Sequence, residues 1–385
     1  MAYQCLNVCT LLVLVSLLLV LNSPHVRGRS LETLTRDGSS PVEGTAKSIK
    51  GNNGEMVDCV DIYKQPALGH PLLKDHIIQM DPSASPSKTN GSNSAGQDFI
   101  QPWNRNGMCS EGTVPIQRRQ LQDTHRSFRG PHHEYAGVVA LPSTEPRLYG
   151  GGGQLSVWNP AVSRLEDHSA SALTVVLSEG STYIAAGWIV HPELYGDFQT
   201  RFFVYWTSDD SVNTGCFDLH CEGFVQVNNR VALGAPMESV STIGAKSFLS
   251  LRILIFLDKE TGNWWLSFRG EQIGYWPAAL FSGIPEGAAR VSWGGQIFDS
   301  IGNGQHTETD MGNGLFPDVG TNKASVVCAL EYVDSSLTRH TPSRSTLRLD
   351  VTNPLCYDVQ LLPSLDPKSG LCFLFGGSGR NPTCP

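Results

Sequence analysis

From about Arg126 onward the chain alternates short apolar runs with turn residues. The runs Tyr135–Leu141, Gly151–Trp158, Ser171–Leu177, Ile184–Val190, Arg201–Thr207 and Gly223–Asn228 read as strands. Leu249–Leu257 carries extra apolar residues, as a strand covered on both faces does. Turns at Asp258–Gly262 and Arg269–Glu271 then return the chain through Trp264–Phe268 and Ile273–Trp276, a meander. No amphipathic stretch reaches the usual helix length of about 11 residues. Short strands at roughly ten-residue spacing predict an all-β fold, a sandwich or a barrel. Within Ile184–Val190, period two places Ala185, Gly187 and Ile189 on one face and Ile184, Trp188 and Val190 on the other. The nearly bare start of the first face predicts a trough able to hold an extended ligand; tight sheet packing is the plainer alternative. The four glycines Gly150–Gly153 read as a flexible turn.

The N-terminal third has a different texture. Leu11–Leu21 is almost wholly apolar but too short to span a bilayer, so residues 1–28 read as a secretory signal peptide. Residues 29–55, rich in Ser, Gly and charge, read as a flexible lead-in. Residues 56–125 form a separate segment with its own linker, and 126–385 the sandwich. Within that linker, Asn90-Gly91-Ser92 is a glycosylation acceptor on an expected surface loop. Arg118-Arg119 reads either as a processing site or as a solvated charge pair.

With 39 Gly and 23 Pro, the composition suits turns and short strands. A net charge of −8 argues against a nucleic-acid partner, and no later run has membrane-spanning length. Eight cysteines follow the leader, an even number that in an exported chain implies disulfides. Cys216 and Cys221 can pin a local loop, and Cys59 and Cys109 can pair within the N-terminal segment. Cys328, Cys356, Cys372 and Cys384 leave three connectivities open. Spacing disfavours zinc, and no other metal or cofactor is implied.

Nucleophilic catalysis finds no support: there is no GxSxG, and every cysteine has a candidate partner. A phosphate loop is missing as well. His132-His133-Glu134 is poor chelating geometry, because adjacent strand residues face opposite ways. Paired carboxylates remain as candidate chemistry, and composition does not say which acids would serve.

Several motifs carry a family resemblance. In the N-terminal segment they are Cys59-Val60-Asp61-Ile62-Tyr63-Lys64-Gln65-Pro66-Ala67, His70-Pro71-Leu72-Leu73-Lys74 and Cys109-Ser110-Glu111-Gly112-Thr113-Val114-Pro115-Ile116. His132–Ala136, Val157–Pro160, Leu194–Asp197, Thr214–Cys216, Gly262–Trp265, Gly274–Pro277, Trp293–Gly295 and Gly379–Pro385 follow in order. Together they resemble the plant neprosin family over the whole chain beyond the leader. The resemblance implies a secreted, acid-acting glutamic endopeptidase that cuts at proline. It also implies an antiparallel two-sheet β-sandwich made as a zymogen with an N-terminal pro-segment. Two glutamates of such a peptidase face one cleft. Here the first position is Ala185 and the second Gln296, so neither carboxylate is present.

Ala185 has no proton-transfer group, and Gln296 can orient a water but not carry a proton at accessible pH. Such acid–base help contributes about 10²–10⁴-fold. Asp299 and Glu193 are neighbouring acids that could substitute, and both read as misdirected: Asp299 by strand parity, Glu193 by the Pro192 turn. The expectation is a catalytically impaired scaffold that holds a proline-containing peptide. Gly187 and Gly294 would floor the cleft, and Trp188, Tyr205, Trp206 and Trp293 would line it, unless these aromatics are sandwich core. An active peptidase with displaced carboxylates and a cell-wall carbohydrate binder are the alternatives.

Overall fold

The computed structural model describes residues 40–88, 101–118, 132–143, 146–245, 247–301, 305–363 and 369–385. The leader, Asn90 and Arg119 lie outside them. In chain order the strands begin with β1 Thr45–Lys50, β2 Met56–Asp61, β3 Ser87–Lys88 and β4 Thr113–Gln117. Next come β5 His133–Ala140, β6 Gly150–Ser156, β7 His168–Ser178, β8 Thr182–Val190 and β9 Arg201–Thr207. β10 Cys216–Phe217, β11 Val225–Gln226, β12 Ser250–Leu257, β13 Trp264–Phe268, β14 Glu271–Trp276 and β15 Arg290–Phe298 continue the series. It closes with β16 Ser325–Val333, β17 Thr338–His340, β18 Leu347–Val351, β19 Asp358–Leu361 and β20 Phe373–Gly376.

Two large sheets face each other, which makes the fold the expected antiparallel sandwich. The seven-stranded sheet has the order β10-β9-β8-β7-β15-β5-β18. The ten-stranded sheet runs β11-β14-β13-β12-β6-β16-β17-β3, with β20 on β16 and β19 on β20. Strand parity builds the space between them. Leu173 and Val175 from β7, Ile184 and Trp188 from β8, and Val291 and Trp293 from β15 meet Leu251, Ile253 and Ile255 from β12 in one core. Two indoles bridge the sheets: Trp188 Nε1 donates to the Ser156 carbonyl at 2.8 Å and Trp293 Nε1 to the Gly152 carbonyl at 3.0 Å. A buried indole N–H keeps its partner this way.

Gly150–Gly153 is not a turn but the start of β6, in the middle of the larger sheet. A Cβ on Gly151 would lie 2.4 Å from Val291 Cγ1 of the facing sheet, so glycine marks close approach of the layers. The run 223–228 shrinks to the two residues of β11.

The 29–55 lead-in is corrected over β1, which pairs with β2 and through it with β4 in a three-stranded sheet. Ile49, Val57, Cys59, Trp103 and Cys109 pack there against Ala232 and Ala235 of the sandwich. Cys59–Cys109 and Cys216–Cys221 are bonded as expected; the last four resolve to Cys328–Cys372 and Cys356–Cys384. From Ile62 the chain leaves the small sheet as a strap. Three 3-10 turns, Ile62–Lys64, Pro66–Gly69 and Pro71–Leu73, carry it, the last two opened by proline, whose missing N–H costs nothing at that position. The strap crosses the outer face of the ten-stranded sheet and ends as β3, parallel to β17.

Candidate functional site

The outer face of the seven-stranded sheet is organised in rows that run across the strands, and cross-strand register defines each row. The first holds Val139, Ser292, Thr174, Ala185 and Tyr205. The second holds Asp350, Gly137, Gly294, Ala172, Gly187 and Phe203. The third holds Tyr135, Gln296, Ala170, Ile189 and Arg201. The second row is therefore a floor of three glycines and one alanine across four adjacent strands. A carboxylate, Asp350, closes one end, and the Phe203 ring closes the other.

Ala185 and Gln296 stand on opposite banks of this trough. They are four residues apart along the strand direction, roughly 13 Å, and two strands apart across it, roughly 10 Å. Close approach of the strands is what bares the floor. A Cβ on Gly187 would fall 2.0 Å from the Ser171 carbonyl oxygen, and one on Gly294 would fall 2.5 Å from that of Ala136. A depression of about 20 Å³ lies over the floor between Tyr135, Ala172, Thr174 and Gln296. Ala185 is wholly buried and Gln296 is 5% exposed.

The aromatic lining divides by parity. Tyr205 is on the trough face, 4.6 Å from the Phe217 ring and 5.8 Å from Tyr183, with its hydroxyl 2.6 Å from Ser211 Oγ. Trp188, Trp206 and Trp293 project the other way into the sandwich core, so as cleft-lining side chains they are corrected. Trp206 Nε1 donates to the Glu222 carbonyl at 3.1 Å, and its ring meets His70 of the strap edge-on.

A fourth row, two residues beyond Gln296, is histidine-rich and was not foreseen. His133 and His168 flank Phe298, their rings 5.4 Å apart, and His191 lies 4.7 Å beyond His168. All three imidazoles are buried. His191 Nδ1 also accepts from the Leu194 N–H, which caps the short helix Pro192–Tyr195. Only the register between strands distant in sequence brings these residues into one row, so no local pattern signals it.

Arg201 ends the Gln296 row. It is fully buried, and its guanidinium donates to Glu55 of the N-terminal segment at 2.6 Å, to Asp197 at 2.7 Å and to the Gly234 carbonyl at 2.6 Å. Burial would lower its pKa, but Glu55 and Asp197 more than offset that and hold it above the ordinary arginine value. Gln117 Nε2 also donates to Glu55, at 2.9 Å. The small sheet is thus anchored to the sandwich at the end of one bank.

The other sequence candidates sit elsewhere. Asp299 follows the end of β15, and its carboxylate accepts from the Ile301 and Thr307 N–H groups. Glu193 lies on the helix Pro192–Tyr195, past the end of β8. Residues 132–134 split as parity requires: His132 is exposed, His133 joins the histidine row, and Glu134 accepts from His306 Nε2 at 3.0 Å. Burial lowers the His306 pKa, but Glu134 and the Thr307 carbonyl outweigh it and raise the value above that of a free imidazole. Among the described residues His306 also stands close to the sulfurs of Cys356 and Cys384, which are spent in a disulfide and cannot chelate.

Solved chains similar to this one include two structures of scytalido-glutamic peptidase, one with a transition state analog inhibitor and one with a peptide based transition state analog. Both share 9% identity with it and cover 64% of this chain and 98% of their own, with TM-scores of 0.36 and 0.32. The neprosin activation peptide model matches residues 48–136, and the neprosin model matches residues 166–378, more than half of the chain. The chain therefore belongs to the neprosin family.

Proposed function

We propose that this peptidase-like protein does not cleave peptides but holds an extended, proline-containing segment across the trough. The observation that carries this reading is the pair on the two banks: a methyl group at Ala185 and an uncharged amide at Gln296, where the family resemblance implies two glutamates. Without a group that takes a proton from water and another that returns one, about 10²–10⁴-fold of acid–base help is lost. The bare floor remains, and the Gln296 amide can still bond a peptide carbonyl or N–H. In the same reading the N-terminal segment is a pro-segment that leaves the sandwich, and the chain is exported. Four disulfides fit an oxidising compartment.

The test is hydrolysis of proline-containing peptides at acid pH by the purified full chain, followed by mass spectrometry. No cleavage is expected from the natural sequence. Ala185→Glu with Gln296→Glu should gain at least about 100-fold over it, the lower end of what acid–base help supplies. Cleavage by the natural chain that Asp350→Asn abolishes would overturn the proposal in favour of a displaced acid at the end of the trough.

A further inference from the structure

The outer face of the ten-stranded sheet, on the far side of the molecule from the trough, carries a second built surface. Trp265 and Tyr275 are cross-strand neighbours on β13 and β14, their rings 4.8 Å apart. With Phe256, Val225 and Val333 they form an apolar platform that Ala67, Leu68 and Ile78 of the strap cover. At its margin the turn after β12 presents Asp258, Thr261 and Asn263. The strap meets these polar groups with two side chains four residues apart. Gln79 Nε2 donates to Asp258 Oδ2 at 2.7 Å, and its Oε1 accepts from Asn263 at 2.8 Å and Thr261 at 3.1 Å. Ser83 donates to the same Asp258 oxygen through its backbone N–H at 2.9 Å and its hydroxyl at 3.0 Å. The Tyr275 hydroxyl accepts from the Gln79 N–H at 2.9 Å and lies 2.7 Å from His76 Nε2.

One group on the platform is left over. Among the described residues the buried Trp265 Nε1 has no acceptor, although a buried indole N–H ordinarily finds one. The strap thus satisfies the carboxylate and the phenol but offers nothing to the indole. The surface can bond more than its present occupant supplies.

We infer that this face is an exosite for an extended peptide of a partner protein, occupied in cis by residues 76–83. The ligand class follows from the contacts: an amide side chain, a Ser or Thr four residues later, and main-chain N–H groups aimed at Asp258 and Tyr275. Main-chain donation at two points favours a peptide over a saccharide. A carbonyl of the incoming segment would take the Trp265 N–H. This inference rests on the reading that the N-terminal segment leaves the sandwich, since only then is the face free.

The experiment opens the face without relying on that release. Ile78→Asp with Gln79→Ala and Ser83→Ala in the full chain weakens the strap by removing one of its apolar anchors and two of its polar side-chain anchors. The probe is a fluorescent peptide with the sequence of residues 74–85 in which alanine replaces Pro82, so that it offers the trough no proline, followed by anisotropy. The opened chain should bind it at least tenfold more tightly than the natural chain, whose own strap competes. Adding Asp258→Asn, or scrambling the probe, should lose about tenfold. A proline-containing peptide in the trough should not displace the probe. Gln79→Ala alone, which adds no charge, is the second variant and should show the same order with a smaller gain. No gain in either variant, with the near-ultraviolet dichroism of the sandwich unchanged, overturns the inference; so does binding of a cello-oligosaccharide in place of the probe. Hydrolysis enters none of these measurements, so their failure leaves the trough reading intact, and cleavage by the natural chain leaves the exosite intact.

Discussion

Replacing Glu55 by Gln tests whether the buried triad Glu55–Arg201–Asp197 clamps the N-terminal segment to the sandwich. Glutamine keeps the shape and removes the charge that meets a guanidinium with no solvent exposure. Breaking a buried ion pair by removing one partner costs about 3–5 kcal/mol, much of it the desolvation of the charge left behind. Arg201 would keep Asp197 and the Gly234 carbonyl, which points to the lower end, about 3 kcal/mol. At about 1.4 kcal/mol per decade, the small sheet should open roughly 100-fold more often. Native-state hydrogen exchange reads this directly. Amides of β2 and β4 should exchange roughly 100-fold faster, while those of β7 and β8 keep their protection, because stability is lost locally and not across the fold. Glu55→Leu with Arg201→Met should restore only part of the loss, since the apolar pair replaces the buried ion pair at little cost but leaves Asp197 and the Gly234 carbonyl without the guanidinium. Equal acceleration in both regions, or none in β2 and β4, would refute the clamp.

Two further outcomes follow from the geometry. Gly187→Ala places a methyl group 2.0 Å from the Ser171 carbonyl and should cost about 1–3 kcal/mol; an unchanged melting temperature would count against the close strand approach beneath the trough. Asp258 is pushed up by burial but held below the usual carboxylate range by the Ser83, Gln79 and Glu260 hydrogen bonds. The stability it lends the strap is therefore fully present above the unfolded carboxyl value near 4 and is lost as pH falls through the lowered folded value. Fluorescence of Trp265 should report strap loosening in that acid window, and Asp258→Asn should flatten the profile.

Much of the architecture was readable from patterning, because Phe202–Trp206 of β9 and Trp264–Leu266 of β13 are unbroken aromatic and apolar runs bounded by turns. β6 was not, since a glycine has no side chain to reveal its burial; the information sits on Val291 and Trp293, whose side chains fill the space a Cβ would need. The irregular register between Cys328 and Glu331 on β16 breaks the alternation that announces a strand. Parity within β8 showed Ala185 and Gly187 on one face, but the floor formed by Gly137, Gly294 and Ala172 required register between strands distant in sequence. The same parity assigns Trp188 to the core, opposite the trough. Asp350 and Arg201 bracket the site from strands at opposite sides of the sheet, which no local pattern could bring together.

β3 lies parallel to β17 and completes the border of the larger sheet. In the release proposed above, the backbone of Thr338–His340 would become a bare rim, the kind of surface through which β-proteins stick to one another. The rim is only three residues long and bears Arg339, ion-paired with Glu331, beside His340, paired with Asp334. Shortness and charge discourage a second copy from docking there, so shedding the segment should leave the sandwich monodisperse.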